Sequence, residues 1–136
     1  MHCDVTIASD QARFRVPELL RGLPDPMLAG RLVACVGLAR ARYLIFTAAE
    51  LSADQALQSG LVGAVVPHAE LARHTEWVLE QIRQTGPAAR AMLKRDINAA
   101  LPPADMTMFM RMPIDEIREG MASFVEKRRP DWHRHD

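Results

Sequence analysis

Aromatic residues are scarce in this chain, and cysteine occurs only at Cys3 and Cys35 among 136 residues. A small secreted domain held together by disulfides needs more cysteines than these. The sequence also lacks a CxxC pair and any Cys/His spacing of the kind that holds a metal. We therefore expect two reduced, buried thiols, a cytoplasmic protein and no metal site.

Neither sign of charge dominates, because 17 Lys and Arg residues balance 17 Asp and Glu residues. A neutral chain has no electrostatic basis for binding nucleic acid or an anionic membrane. No apolar run reaches the roughly 18 residues that cross a bilayer, and the first residues lack the basic-then-apolar pattern of a signal peptide. We expect neither nucleic acid nor a membrane as a partner.

Apolar residues make up 49% of the chain and charged residues 25%, which is typical of a globular domain with its own core. Short β-branched runs predict strands over 5–8, 14–16 and 61–66. Periodicity and turn residues predict helices over 28–36, 38–47, 53–59, 69–84 and 87–100, and a last helix holding Ile117, Met121, Phe124 and Val125. Ser52 and Gln55 have the capping-box spacing at the start of the third helix. The predicted fold class is α/β.

The predicted sheet is too small to be stable unless helices cover it. The first and third strands need partners that we do not find in the sequence. We therefore expect an exposed strand edge near the N-terminus and a tendency of the chain to associate.

Three stretches resemble the enoyl-CoA hydratase/isomerase family, also called the crotonase family. They are CDVTIASDQARFRVPELLRGL, ELSADQALQSGLVGAVVPHAEL and EGMASFVEKRRPDW, and they occur in the family's order and spacing. The resemblance implies the helix-rich, C-terminal part of a spiral of ββα units. Residues 1–67 would end the spiral core and carry the Pro-Glu segment. Residues 68–136 would form a helical region that contacts CoA and joins subunits into a homotrimer or hexamer.

The resemblance also implies an N-terminal half before the Cys-Asp strand. In the family that half carries the backbone N–H groups of the oxyanion hole, together with a second glutamate. We therefore expect this chain to be a fragment, with Met1 either an internal methionine taken as a start or the boundary of a truncation. On its own, the chain is expected to be inactive, because stabilising the thioester oxygen is usually the largest catalytic contribution.

Pro17-Glu18 matches the family's Pro-Glu, where hydratases place one of two catalytic glutamates. Adding water to an enoyl thioester requires a base for the water and an acid for the α-carbon. By resemblance, Glu18 takes part in this proton transfer. From the residues alone, a solvated loop carboxylate beside a proline is the alternative.

The resemblance places Pro17, Leu23, Pro24 and Asp25 in the substrate site. Hydratases usually have Pro-Gly-Ala-Gly-Gly where this chain has Pro24-Asp25-Pro26-Met27-Leu28. Proline and bulky residues stiffen this loop and reshape the acyl pocket. Isomerisation and other acyl-CoA reactions therefore stay open. Asp25 is either a second pocket carboxylate or a turn residue.

Near the C-terminus, Phe124 and Lys127 match family positions that approach the adenine and phosphates of CoA. Lys127, Arg128 and Arg129 form a basic patch that suits phosphates, or one that complements a helix dipole. Packing in a core or an interface is the default role for Phe124. CoA would enter as part of the substrate, so no separate cofactor is expected.

Two further patterns give weaker hypotheses. His133 and His135 lie in a tail, RRPDWHRHD, that we expect to be frayed and solvated rather than metal-binding. The alternating methionines in DMTMFMRMP favour ordinary core packing, with a lid or an oligomer contact as the alternative. The leading function is hydration of an enoyl-CoA by the complete protein. The alternatives are isomerisation or other acyl-CoA chemistry, and a catalytically inactive half-domain or assembly module.

Overall fold

Short strands alternate with helices in the computed structural model, which describes residues 3–132. The strands are β1 (Ile7–Ser9), β2 (Arg13–Phe14), β3 (Leu51–Ser52) and β4 (Ala64–Val66). The α-helices are α1 (Ala29–Val36), α2 (Leu38–Thr47), α3 (Ala53–Gln58), α4 (Leu71–Arg83), α5 (Pro87–Ala99) and α6 (Ile114–Val125). Three 3₁₀ helices lie between them, at Glu18–Arg21, His68–Glu70 and Met106–Arg111.

The strands form two separate two-stranded sheets. β1 pairs in parallel with β4, so that Ile7 lies opposite Ala64. β2 pairs antiparallel with β3, with Phe14 opposite Leu51. The prediction that the first and third strands lack partners is wrong, because these strands pair with each other. Their pairing follows a long crossover through α1, α2 and α3, which periodicity in the sequence does not encode.

The core consists of two small apolar clusters. One contains Leu32, Ala41, Leu44 and Leu51, and the other contains Ala8, Ala56 and Val62. Phe14 packs against both clusters. This side chain therefore joins the β2–β3 sheet to the β1–β4 sheet.

Local signals set the helix ends as the sequence predicts. The Ser52 hydroxyl accepts a hydrogen bond from the Gln55 N–H at 3.2 Å, and the Gln55 side chain accepts one from the Ser52 N–H at 2.9 Å. This confirms the capping box. Gly60 follows α3 with a φ of 77°, and Gly37 separates α1 from α2 with a φ of 79°. Glycine adopts such left-handed conformations at no steric cost.

Helix α5 is exposed along its whole length. The Lys94 ammonium pairs with Asp4 at 2.5 Å, and the Arg90 guanidinium donates to the Ile82 carbonyl at 2.7 Å. Met92, Leu93 and Ile97 are among its exposed apolar side chains. Within residues 3–132, none of the helices combines the length and the apolar character needed to cross a membrane.

Two burial predictions are wrong. Cys3 and Cys35 are free, but both are exposed. Cys35 lies on α1, whose buried residue is Leu32. The methionines do not fill a core, since Met110 is 89% exposed and Met106 is exposed as well. Their segment is a 3₁₀ helix that begins at an Asp105 cap, so its side chains do not alternate between two faces as those of a strand would.

Candidate functional site

Glu18 begins a single 3₁₀ turn, Glu18–Arg21, which we call the Glu18 turn. Pro17 precedes it, and proline suits a helix start because its fixed φ fits the turn and it has no N–H to satisfy. Gly22 ends the turn with a φ of 62°, and its N–H donates to the Leu19 carbonyl at 3.1 Å. The Leu23 N–H donates to the Glu18 carbonyl at 3.1 Å. Backbone hydrogen bonds therefore fix the turn that carries the carboxylate.

The Glu18 side chain is half-buried, and one oxygen of its carboxylate is shielded from solvent. Among the side-chain atoms of residues 3–132, its Oε2 is buried and has no hydrogen-bond partner. A buried acceptor without a partner costs free energy, and such groups in native proteins call for an explanation, of which catalysis is one. For this oxygen, the alternative that Glu18 is a solvated loop carboxylate is therefore wrong.

Helix α6 holds the Glu18 turn through two glycines. A Cβ on Gly120 would lie 2.3 Å from the carbonyl carbon of Arg21, and a Cβ on Gly22 would lie 2.6 Å from the carbonyl carbon of Glu116. Both distances are impossible for real Cβ atoms, so only glycine permits this backbone contact.

The buried face of α6 differs from the predicted apolar face. The helix buries Glu119, Gly120 and Ser123, while Phe124 and Val125 are exposed. At Gly120 the two backbones approach so closely that no larger side chain fits there.

A cleft of about 370 Å³ lies where the Glu18 turn meets the end of α6. We call it the basic cleft, and its wall includes Arg21, Phe124, Lys127, Arg128, Arg129 and Trp132. The default of core packing for Phe124 is wrong in this chain, because the side chain is 58% exposed. Its ring instead lies under the guanidinium of Arg21, with Cζ 4.0 Å from the ring centroid.

The far wall of the basic cleft depends on an ion pair. Arg128 donates to both carboxylate oxygens of Glu119, with Nη2 3.0 Å from Oε2, and its Nε donates to Glu126 at 2.5 Å. The Glu119 carboxylate, followed by that of Glu126, raises the pKa of Arg128 above its usual range. Glu119, only 7% exposed, also accepts from the Asp131 N–H at 2.8 Å.

The expectation of a frayed tail is therefore wrong for residues 128–132, which this network fixes against α6. His133 and His135 lie outside the described residues. Within residues 3–132, no carboxylate lies within 4.0 Å of the charged groups of Arg21, Lys127 and Arg129, whereas Arg128 is paired twice. The net positive charge of the basic cleft thus comes from those three side chains.

The sequence profile described as Enoyl-CoA hydratase/isomerase matches residues 1–135. The chain belongs to the enoyl-CoA hydratase/isomerase family. It is 34% identical, over 98% of its length, to a probable mitochondrial enoyl-CoA hydratase of Dictyostelium discoideum, of which it covers 51%. It is also 34% identical, over 95% of its length, to the short-chain-enoyl-CoA hydratase of Clostridium acetobutylicum, of which it covers 53%. The chain therefore spans about half the length of these relatives.

Solved structures of the family share the fold. A carnitinyl-CoA hydratase from Mycobacterium avium superposes with a TM-score of 0.79 at 27% identity, over 96% of this chain and 54% of that one. A methylmalonyl-CoA decarboxylase in complex with 2-nitronate-propionyl-CoA gives a TM-score of 0.83 at 28% identity, over 97% of this chain and 55% of that one. The predicted α/β crotonase-type fold is confirmed.

The loop after the Glu18 turn has a clear local role in this chain. Asp25 accepts hydrogen bonds at Oδ1 from the N–H groups of Met27 at 2.8 Å and Leu28 at 3.2 Å. This confirms the turn role of Asp25. Leu23 is exposed and Pro24 is half-buried beside it. Their place in the substrate site stays a prediction.

A second cleft, of about 330 Å³, lies beside β2 and β3. Val16, Leu28, Leu32, Leu44 and Leu51 form much of its apolar wall. Val16 directly precedes Pro17, so this apolar cleft adjoins the segment that carries Glu18. Sequence reasoning did not find it, because its walls come from four separate elements.

Sequence reasoning also missed Arg21, Glu119 and Gly120. A glycine inside a helical pattern signals a close backbone approach, so Gly120 could have been found. No comparable signal marks Arg21, since a lone arginine in a turn is ordinary. Within residues 3–132, no group of three or more His, Cys, Asp or Glu side chains is arranged to hold a metal.

Proposed function

We propose that the protein carrying this chain hydrates 2-enoyl-CoA thioesters, with Glu18 in proton transfer. The observation that supports it most directly is the buried Glu18 Oε2 without a hydrogen-bond partner. A carboxylate aimed at a reacting proton needs such an uncommitted oxygen. Relatives named enoyl-CoA hydratase at about one-third identity support the same reaction.

In this reaction a water O–H bond breaks and its oxygen bonds to the β-carbon of the enoyl group. The π electrons move toward the thioester carbonyl, and the α-carbon receives a proton. Glu18 either takes the proton from water or delivers one to the α-carbon, and a second carboxylate shares the task. By the family resemblance, that second carboxylate and the oxyanion donors come from the N-terminal half of the domain.

The nucleotide end of CoA is proposed to bind in the basic cleft. Phe124 offers an exposed ring for stacking, and Lys127 and Arg129 offer cations without a carboxylate partner within residues 3–132. Phosphates bind such groups through charge-assisted hydrogen bonds. CoA arrives as part of the substrate, and the proposal needs no separate cofactor.

A homotrimer or hexamer is proposed for the complete protein. The support is the row of exposed apolar side chains on α5, which include Met92, Leu93 and Ile97. Exposed apolar patches of this kind are typical of interaction surfaces.

Isomerisation or another acyl-CoA reaction is the second candidate. The observation that favours it is the stiff turn at Pro24-Asp25-Pro26, where Asp25 Oδ1 already accepts two backbone hydrogen bonds. A rigid loop in place of a glycine-rich one changes the shape available to the acyl group. The third candidate, a half-domain without activity, predicts that the protein isolated from its own cells gives no turnover.

The test uses the protein isolated from its own cells, so that any sequence beyond the 136 residues is retained. Its mass is measured to show whether such sequence is present. It is incubated with a short-chain 2-enoyl-CoA, and the products are separated by chromatography and identified by mass. Hydration gives a 3-hydroxyacyl-CoA, and isomerisation gives a shifted double bond. Glu18→Gln is expected to lower kcat by about 10²-fold or more, since positioned proton transfer contributes about that much.

Glu70→Gln is the matched control, because Glu70 is an exposed carboxylate paired with Arg73 away from the basic cleft. It is expected to keep full activity. Unchanged turnover in Glu18→Gln contradicts the role of Glu18. A shifted double bond as the only product selects isomerisation, and absence of any product selects the inactive half-domain.

A further inference from the structure

Arg21 connects the Glu18 turn to α6 through its side chain. Its Cζ lies 4.0 Å above the centroid of the Phe124 ring, the distance of a favourable cation–π contact. Arg21 is the last residue of the turn and Glu18 is the first. In a 3₁₀ helix, residues three apart lie on the same side of the turn.

The backbone makes the same connection. Gly120 of α6 lies against the backbone of Arg21, where a Cβ would approach to 2.3 Å. The side chain and the main chain of Arg21 thus contact α6 one helical turn apart, at Phe124 and Gly120. Arg21 is therefore fixed at both ends.

The charge of Arg21 is not neutralised by a nearby carboxylate of the described residues. Within the described part of the chain, the Arg21 guanidinium has no carboxylate partner within 4.0 Å, and its one hydrogen bond is to the Leu20 carbonyl at 3.4 Å. The Phe124 ring is thus its principal contact. The guanidinium is thus stacked on Phe124 and not paired with Glu18, which lies three residues earlier in the same turn.

We propose that Arg21 is a positioning residue for Glu18, because its stack on Phe124 holds the Glu18 turn against α6 and leaves the carboxylate unpaired. This inference rests on the proposed function for the role of Glu18, although its geometry does not. A ligand that binds against Phe124 then acts on the same turn that carries the reacting carboxylate.

Hydrogen exchange of the turn amides tests the proposal without any turnover. The N–H groups of Leu20, Gly22 and Leu23 donate to carbonyls within or next to the turn at 3.0–3.1 Å, so their exchange reports its opening. Arg21→Leu is expected to speed their exchange about two- to fivefold, as loss of an exposed cation–π contact predicts. Phe124→Leu is expected to have the same effect.

Two variants separate positioning from general destabilisation. Arg21→Lys retains a cation over the ring and is expected to restore most of the protection. Arg21→Leu combined with Phe124→Leu is expected to match either single variant, because both remove one contact. Arg40→Leu, on the exposed surface of α2, is the matched control and leaves the turn amides unchanged. The Leu32 amide, which donates to the Leu28 carbonyl at 2.8 Å, monitors the fold as a whole.

The proposal is overturned if the turn amides of Arg21→Leu exchange at the parent rate, if Arg21→Lys is no better than Arg21→Leu, or if the two leucine changes add.

In the protein that turns over enoyl-CoA, the expected result is a kcat about two- to fivefold lower in Arg21→Leu, restored by Arg21→Lys. A raised KM with unchanged kcat and unchanged exchange makes Arg21 a binding residue and also overturns the proposal. A parent protein without turnover contradicts the proposed function, while the exchange result still decides whether Arg21 holds the turn.

Discussion

Residues 3–67 and residues 68–132 are held together by different means. In the first region, the buried side chains are apolar, and seven of them form the two core clusters. In the second, the buried side chains of residues up to 132 are polar, at Glu119 and Ser123, and the closest packing is at Gly120. Apolar burial tolerates small changes of shape, whereas a glycine contact and a bidentate ion pair need one geometry. The candidate site lies where these two kinds of packing meet.

The largest expected difference concerns apolar burial. Leu32 is 1% exposed in the first region, and Val125 is 76% exposed at the end of α6 in the second. Leu32→Ala is expected to lower the free energy of unfolding by about 2–5 kcal/mol, and Val125→Ala by about 0.5 kcal/mol or less. Urea denaturation of both variants measures this. Equal losses would mean that the Val125 side chain is covered in solution, and the contrast between the regions would then fail.

A second, smaller effect is expected at the glycine contact. Alanine normally stabilises a helix relative to glycine, but Gly120→Ala places a Cβ 2.3 Å from the carbonyl carbon of Arg21. We expect a loss of about 1–3 kcal/mol, as in other overpacked sites, together with faster exchange of the Glu18-turn amides. Gly86→Ala is the control, because its nearest neighbour would be the Ala89 Cβ at an ordinary 3.9 Å. A Gly120→Ala variant as stable as Gly86→Ala contradicts the close contact.

The smallest effect is expected at an exposed cap in the second region. The Thr107 hydroxyl, which donates to the Asp105 carboxylate at 2.6 Å, is the main cause that lowers the pKa of Asp105 below its ordinary value of 3.8. Since the pKa is lower in the folded state, this stabilisation is complete above the ordinary value and is lost as pH falls through the folded value. Thr107→Val is therefore expected to flatten the acid limb of stability against pH, measured by urea denaturation at a series of pH values. An unchanged acid limb contradicts this role of Thr107.

The parts of the fold that follow from local chemistry could be predicted from the sequence. The capping box at Ser52 and Gln55, the glycine stops at Gly37 and Gly60, and the proline start of α5 depend on neighbouring residues only. The pairing of β1 with β4 could not be predicted, because it joins strands far apart in the chain. The buried face of α6 was also misjudged, since hydrophobic periodicity says nothing about a close approach between backbones.

The site divides in the same way. Glu18 was found through the Pro-Glu resemblance, and Asp25 through turn preferences. Phe124 and Lys127 were proposed as CoA contacts, and the structure brings both to one basic cleft. The Arg21 stack on Phe124 joins residues distant in sequence, and the residue types at the two positions do not predict it. The trimeric or hexameric assembly and the cytoplasmic location stay predictions.

The sequence by itself determined the family, the helix ends and the Pro-Glu segment, because those depend on residue types at short spacing. Only the tertiary structure decided that Glu18 has a buried oxygen without a partner, that two glycines bring α6 onto its turn, and that Arg21 rests on Phe124. Each of these features depends on how segments separated by many residues pack together. Such contacts are selected by the shape of the whole packed chain, which local propensity does not contain.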